Sequence, residues 1–264
     1  MLAGGTQVAL LSKSGLLDAE TLVWIGRVPE LRRIDVDGEA LSVGATVTLA
    51  ELSRSGHVRR LHRALAEAAA KIGNARVRAV ATVGGHLVHA DPRQDLAPVL
   101  LVLGARVQVA GPNGRRDMAL GPFFTGFMTT ALEPDELVTA IEVPPPPAGR
   151  RAVYARFAPN SASDYPIAGV AAAVTLRDGE VVDASVALGA GSARPRLVPA
   201  AAAHLVGTPD AAKISLAAGA VQDAAEPSSD QRGSADYKKA MVGLWTRRLL
   251  TNLLSDQIAY ASTS

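Results

Sequence analysis

Four consecutive prolines, Pro144–Pro147, divide the sequence into two parts of different character. Proline fixes φ and has no backbone N–H, so a proline run can continue neither a helix nor a central strand. Short helix-like and strand-like segments precede the run, whereas strand-like segments and then three helix-like segments follow it. Because 264 residues are enough for two domains, we predict an α+β protein with domains at residues 1–147 and 148–264.

The composition excludes several classes of protein. Hydrophobic residues make up 48% of the sequence and the mean hydropathy is +0.17, which supports packed cores. The formal net charge is +2 and aromatics are 4%, whereas a nucleic-acid surface needs clustered basic residues with aromatic platforms. No apolar run approaches the roughly 18 residues of a membrane span, and no signal peptide opens the sequence. We therefore expect a cytoplasmic protein without a nucleic-acid partner.

Cysteine is absent, which excludes a disulfide, a thiolate nucleophile and a cysteine-ligated iron–sulfur cluster within this sequence. His86, His89 and Asp91 in "HLVHAD" superficially resemble a metal cluster. No other histidine is near them in sequence, so we predict no metal site. There is no G-x-S-x-G motif and no nucleophile–base pairing, so we predict no catalytic residue.

Hydrophobic spacing in the first part predicts alternating helices and strands. Helices are predicted at Thr6–Leu17 and Val58–Ile72, and "TLAE" at Thr48–Glu51 fits a capping box. Short strands are predicted at Thr21–Ile25 and Val80–Val83. Two hairpins and a buried helix complete this part: Ile34–Val43 turning at Asp37-Gly38, Arg106–Met118 turning at "GPNG", and the helix Leu96–Leu103.

Beyond the prolines, alternating apolar residues predict a β-meander with a turn at Asp178-Gly179. Three helices are predicted after it, at Pro199–Val206, Asp210–Ala224 and Asp236–Ile258. An apolar stripe on the last helix is interpreted as core; it consists of Met241, Leu244, Trp245, Leu249 and Leu253.

Two glycine pairs, in "LAGGTQV" (Leu2–Val8) and "TVGGH" (Thr82–His86), are each predicted to follow a strand. Adjacent glycines let several backbone N–H groups point into one concavity, and a following Thr or His adds a donor. Each pair could instead be a tight turn, because short glycine motifs match by chance. Two such loops in one domain favour a shared anion such as a diphosphate, although neither fits a Rossmann or P-loop motif.

Several longer segments resemble one family along nearly the whole chain. They include "IGNARVRAVATVGGHLVHADPRQDLAPVLLVLGARV", "GPFFTGFMTTALEPDELVTAIEVP" and "DYPIAGVAAAVTL", which follow "LAGGT" in this order. Together they resemble the FAD-binding medium subunits of molybdenum hydroxylases, of the carbon monoxide dehydrogenase and xanthine dehydrogenase type. The resemblance implies a two-part FAD-binding domain and a C-terminal domain of antiparallel sheet plus helices.

The resemblance also implies where FAD binds. Its diphosphate is expected between the two glycine loops, Asp95 is expected to help hold the cofactor, and Ile72 to form an apolar wall. Leu132 is expected beside the flavin and Tyr165 near the isoalloxazine ring. The loop residues that this implicates are Leu2, Ala3, Gly4, Gly5, Thr6, Gln7, Val8, Thr82, Val83, Gly84, Gly85 and His86.

In such enzymes a large subunit holds a molybdopterin cofactor and a small subunit holds [2Fe–2S] clusters. The resemblance implies that this chain passes electrons through FAD to NAD, a quinone or dioxygen, within a dimer of heterotrimers. The alternative is a docking subunit that has lost tight FAD binding.

This sequence departs from the family's pattern in three ways. The family carries a strand and a helix before the first glycine loop, so the resemblance implies either that the true start lies upstream of Met1 or that one edge of the FAD domain is missing. His86 stands where the family usually has Asn, which makes that donor bulkier and titratable. "FAPNSASDY" (Phe157–Tyr165) has no Lys or Arg, whereas the family usually has several there.

Overall fold

The computed structural model describes residues 1–261, with side chains through residue 255, and the chain divides into two compact units. The first unit comprises Met1–Asp91 and Gly104–Pro145, and the second comprises Pro92–Leu103 and the chain from Pro146 onward. The predicted boundary after residue 147 stays a prediction. The structural units differ from it over Pro92–Leu103, which packs with the second unit.

The secondary structure is mixed in both units. The helices are α1 (Thr6–Lys13), α2 (Leu49–Arg54), α3 (Gly56–Leu61), α4 (Arg63–Lys71), α5 (Ala75–Val80), α6 (Val83–His89), α7 (Leu96–Val102), α8 (Leu120–Phe123), α9 (Pro199–Leu205), α10 (Ala211–Asp223) and α11 (Ala235–Ala261). The strands are β1 (Ile34–Asp37), β2 (Ala40–Gly44), β3 (Arg106–Gly111), β4 (Gly114–Ala119), β5 (Phe124–Gly126), β6 (Thr129–Thr130), β7 (Leu137–Val143), β8 (Arg150–Phe157), β9 (Ala168–Arg177), β10 (Glu180–Leu188) and β11 (Arg196–Leu197). None of the helices within the described residues is long and apolar enough to cross a membrane.

The first unit is built on an antiparallel sheet with the strand order β1-β2-β7-β3-β4. Both predicted hairpins, β1–β2 and β3–β4, are present. The first turns at Gly38, whose φ of +60° is a backbone conformation that glycine adopts without strain. Side chains of the central strands form the core, and Leu41, Val43, Val107 and Ile141 are at most 1% exposed.

The capping box predicted at the start of α2 is confirmed. The Thr48 hydroxyl accepts from the Glu51 N–H at 3.2 Å, and the Glu51 carboxylate accepts from the Thr48 N–H at 2.8 Å. The single helix predicted over Val58–Ile72 is wrong, because His62 leaves the helical region at φ −139° and separates α3 from α4. The alanine-rich pattern correctly predicts helix on both sides of His62. It does not reveal that a single residue between them has an extended backbone.

The two short strands predicted at Thr21–Ile25 and Val80–Val83 are wrong. The first forms only an isolated bridge between Trp24 and Leu2. In the second, Val80 ends α5 and Val83 begins α6. Short β-branched runs occur in buried helices as well as in strands, so their composition does not decide between the two.

The second unit contains the predicted meander, and its sheet has the order β11-β10-β9-β8. The turn at Asp178-Gly179 is confirmed, with both residues at positive φ. Strand β9 is buried continuously from Ala168 to Thr175. Helices α7 and α11 both pack against β9, and its interior position explains why this strand is almost uniformly apolar rather than alternating.

The predicted helices of the second unit are present as α7, α9, α10 and α11. The predicted stripe on α11 is only partly core: Leu249 and Leu253 are buried, whereas Leu244 is 38% exposed. Trp245 stacks on Phe157 with ring centroids 5.5 Å apart. The fully buried side chains of α11 lie one position further along the chain than the predicted stripe, at Val242, Thr246, Leu250 and Leu254.

We predict that His62 makes the stability of the first unit depend on pH. Its imidazole is 4% exposed and neither ring nitrogen has a hydrogen-bond partner among the described residues. Burial lowers the pKa of His62 to about 4 from 6.5, so the unfolded chain binds a proton first as the pH falls. The contribution of His62 to the unfolding free energy should therefore decrease between about pH 6.5 and 4, by about 3 kcal/mol.

The measurement is denaturant unfolding of the parent chain and His62→Leu across this range. The variant should lose that part of the pH dependence, whereas the exposed His57→Leu should follow the parent. Identical pH profiles for the parent and His62→Leu would show that His62 does not titrate in this way.

Candidate functional site

The first glycine loop is held in place by the segment around Trp24. The Leu2 N–H donates to the Val23 carbonyl at 2.8 Å, and the Ile25 N–H donates to the Leu2 carbonyl at 2.9 Å. The indole Nε1 of Trp24 donates to the Ala3 carbonyl at 3.2 Å. Main chain and side chain together therefore fix the loop that leads into α1.

Gly5 precedes α1 and leaves the first backbone amides of this helix able to bind an anion. It is the N-cap residue, with φ +75°, and has no side chain that could cap the first amides of this helix. The first amides of a helix lack intrahelical acceptors, and together with the helix dipole they favour a bound negative charge. The residues Leu2–Val8 therefore fit a phosphate group.

The first glycine of each pair serves close packing of the main chain. A Cβ on Gly4 would lie 1.9 Å from the Val80 carbonyl oxygen, and a Cβ on Gly84 would lie 2.6 Å from the Ala45 Cβ. Neither position has room for a side chain. The contact of Gly4 with Val80 also places the first loop beside the segment that leads to Thr82, so the two glycine pairs are neighbours in the first unit.

The second glycine pair lies in the first turn of α6 rather than in a loop. The amides of this turn are engaged inside the protein: Val83 donates to the Val47 carbonyl at 2.9 Å, and Gly84 donates to the Ala45 carbonyl at 2.8 Å. The Gly85 amide donates to the Thr82 hydroxyl at 3.2 Å. Each N–H has one proton to donate. The start of α6 therefore has fewer amides available to a phosphate than the start of α1.

His86, on α6, is 8% exposed. Burial lowers the pKa of His86 to about 3, with a further lowering by His89 that Asp91 opposes. His86 is therefore neutral at pH 7, and its titration lies outside the ordinary working range. In the described part of the chain, no group of three or more His, Asp or Glu side chains is arranged to hold a metal ion.

Ile72 and Leu132 also belong to the first unit. Ile72 is 9% exposed at the end of α4, and its carbonyl accepts from Arg78 Nη1 at 3.0 Å. Leu132 follows β6, which packs against α6. The contacts that we predict for both residues with the cofactor stay predictions.

Asp95 lies in the second unit and has partners there. It is 3% exposed, accepts from the Tyr154 hydroxyl at 2.6 Å and pairs with Arg156 Nε at 2.9 Å. Burial, the charge of Asp95 and this hydrogen bond raise the pKa of Tyr154 well above its usual value. Asp95 does not cap α7 with its side chain. It therefore stabilises the second unit, and its predicted part in FAD binding stays a prediction.

Three arginines from outside the Phe157–Tyr165 segment contact it, although the segment itself has no Lys or Arg. The Arg93 guanidinium lies 4.7 Å from the Tyr165 ring centroid. Arg156 Nη1 donates to the Ala162 carbonyl at 2.6 Å, and Arg232 pairs with Asp164 at 3.1 Å. These arginines were not among the residues predicted from the sequence. For Arg156 the available signal was the Asp95 carboxylate ahead of a fully apolar helix, since a buried carboxylate requires a cation.

Family models match both parts of the chain. "FAD binding domain in molybdopterin dehydrogenase" matches residues 1–146, and "CO dehydrogenase flavoprotein C-terminal domain" matches residues 153–253. The chain belongs to the FAD-binding medium subunits of molybdenum hydroxylases. The resemblance stated from the sequence is thus confirmed, as are the α+β fold and FAD as the cofactor.

Relatives of this family match along most of their length. The carbon monoxide dehydrogenase medium chain of Afipia carboxidovorans is 32% identical over 248 residues, covering 94% of this chain and 86% of the relative. The xanthine dehydrogenase FAD-binding subunit of Escherichia coli O157:H7 is 28% identical, covering 97% and 88%. Carbon monoxide dehydrogenase of Hydrogenophaga pseudoflava contains a chain with TM-score 0.93 and 33% identity, covering 97% and 89%. The chain is thus an FAD-binding subunit of an oxidoreductase.

We predict that Asp95→Ala destabilises the second unit even without FAD. The change leaves the Arg156 charge and the Tyr154 hydroxyl buried without their carboxylate, a loss that typically costs about 3–5 kcal/mol. The measurement is denaturant unfolding of the FAD-free chain. The control is Asp117→Ala, which removes an exposed ion pair with Arg106 and should cost at most about 1 kcal/mol. Unchanged stability of Asp95→Ala would contradict this structural role.

Proposed function

We propose that this chain transfers electrons from [2Fe–2S] clusters of a partner subunit through FAD to an external acceptor. The complex would include a large molybdopterin-containing subunit and a small iron–sulfur subunit, arranged as a dimer of heterotrimers. NAD, a quinone and dioxygen are the candidate acceptors. The single observation that carries FAD binding to this chain's own residues is the start of α1, where the N-cap residue Gly5 has φ +75° and no side chain to occupy the first amides of the helix.

The first glycine loop would hold the FAD diphosphate. Gly5 and the first turn of α1 supply backbone amides, and the helix dipole adds a favourable potential for the two phosphates. Thr6 adds a hydroxyl donor at the first helical position. Of Thr82, Val83, Gly84, Gly85 and His86, FAD would be met mainly at Gly85, the exposed member of this set, because the other four are buried and the amides of Val83, Gly84 and Gly85 are engaged; His86 is neutral.

The remaining proposed contacts concern the flavin end of FAD. Ile72 and Leu132 would exclude water there, and Tyr165 would pack near the isoalloxazine ring with Arg93 on its ring. Arg156 and Arg232 would hold the loop before Tyr165 in one conformation through Ala162 and Asp164. Bound FAD supplies the one- and two-electron chemistry, so no residue of this chain needs to act as a general acid or base.

We predict that Gly5→Ala weakens FAD binding by more than about tenfold. A non-glycine residue in the left-handed region costs about 1–2 kcal/mol, so the loop should shift and misalign its amides. The control is Gly15→Ala at the other end of α1, where φ is +66° and nothing lies within 4 Å of the added Cβ. It carries the same backbone strain without touching the loop. Equal FAD dissociation constants for the two variants would remove the first loop from the FAD site.

The electron-transfer function is tested on the assembled enzyme. The tagged chain is purified from its native host with its partners, and flavin, iron and molybdenum are quantified per protomer. We expect all three, and bleaching of the flavin absorbance when substrate or a low-potential reductant is added. A complex that holds iron and molybdenum but no flavin would favour the docking-subunit alternative instead.

A further inference from the structure

We propose that Trp24 is a positioning residue for FAD, because its indole holds the first glycine loop in the shape that binds the diphosphate. This inference rests on the proposed function and adds to it a residue outside both glycine loops. Trp24 lies in a segment that the sequence analysis interpreted only as a strand. Its side chain is 53% exposed, so core packing does not account for it.

The indole acts on the carbonyl of the residue immediately before the two glycines. Its Nε1 donates to the Ala3 carbonyl at 3.2 Å, next to Gly4. The backbone bonds of Leu2 with Val23 and Ile25 fix the residue before Ala3. On the other side, Gly4 is confined by Val80. The Trp24 side chain thus fixes the backbone at Ala3, from which the loop continues to Gly5.

The neighbours of Trp24 keep the indole over this loop. A Cβ on Gly26 would lie 2.5 Å from the indole nitrogen, so the indole occupies space that only a glycine leaves open. The Arg27 guanidinium lies 5.0 Å from the ring centroid on the indole face, a cation–π contact that favours this orientation. These two contacts orient the indole for the bond to Ala3.

Holding this loop matters because it contains two adjacent glycines. Glycine loses more conformational freedom on ordering than any other residue. A loop that is ordered before binding does not lose that freedom when the ligand binds, and its affinity is correspondingly higher. The bond from Trp24 therefore acts on FAD affinity, whereas the stability of the first unit depends on the sheet and on buried side chains elsewhere.

The test compares Trp24→Phe with Val23→Ala in the full chain. Phenylalanine keeps an aromatic ring for Arg27 but removes the donor, whereas Val23→Ala trims an exposed side chain of the same segment and leaves the donor in place. We expect Trp24→Phe to bind FAD and ADP about five- to tenfold more weakly, the effect of losing one hydrogen bond. The melting temperature of the FAD-free chain should stay unchanged in both variants, and Val23→Ala should bind like the parent.

A second measurement does not require a variant at Trp24. In a Trp245→Phe background, which preserves the stack on Phe157, Trp24 is the remaining tryptophan. ADP does not absorb in the tryptophan emission range, so a change in Trp24 emission on adding ADP reports contact between the loop and the diphosphate. We expect such a change, saturating at the ADP dissociation constant.

The outcomes separate this inference from the proposed function. If the parent chain binds neither FAD nor ADP, the proposed function fails and Trp24 has no ligand to position. If the parent binds both and Trp24→Phe binds them equally well, this inference is overturned and the proposed function stands. The same holds if Trp24 emission does not change when ADP binds. A lowered melting temperature with unchanged affinity would likewise overturn it, because it would assign Trp24 a structural role alone.

Discussion

Direct contact between main-chain segments is the constraint on which the first unit depends. At Gly4 the Val80 carbonyl occupies the space where a Cβ would lie, and at Gly84 Ala45 occupies it with its Cβ and its backbone. The contact at Gly4 puts the start of α1 next to the segment that enters α6, and the contact at Gly84 packs α6 against Ala45, just after β2. A side chain at either position would separate the segments, and the neighbouring glycine would no longer lie where a phosphate can approach. The glycine pairs therefore combine a packing residue with a residue open to ligand.

The second unit depends on a buried carboxylate instead. Asp95 precedes a helix whose residues are all buried, and its charge is compensated by Arg156 with help from the Tyr154 hydroxyl. The same arginine reaches the Ala162 carbonyl on the segment before Tyr165. Charge compensation in the interior thus also orders a surface segment. One arginine connects the stability of the unit to the geometry around Tyr165.

Local chemistry in the sequence was enough to predict the elements that local chemistry determines. The capping box at Thr48, the hairpin at Gly38 and the meander turn at Asp178-Gly179 each depend on neighbouring residues, and each is present. The strand predicted at Val80–Val83 is wrong because Asn74 and Thr82 cap two short helices around it. The partners of Asp95 and Trp24 lie far away in sequence, so neither periodicity nor spacing could identify them.

The proposed phosphate site differs from many anion sites in that the main chain provides its positive potential. Leu2–Val8 contains no Lys or Arg, and α1 has no acidic residue in its first turn to compete with a ligand. Oriented amides act only at short range and only when their geometry is held. A cationic side chain can follow a ligand, whereas a backbone amide cannot. Residues that fix the loop from outside, Trp24 and Val80, therefore matter to such a site as much as the residues that would touch the phosphates.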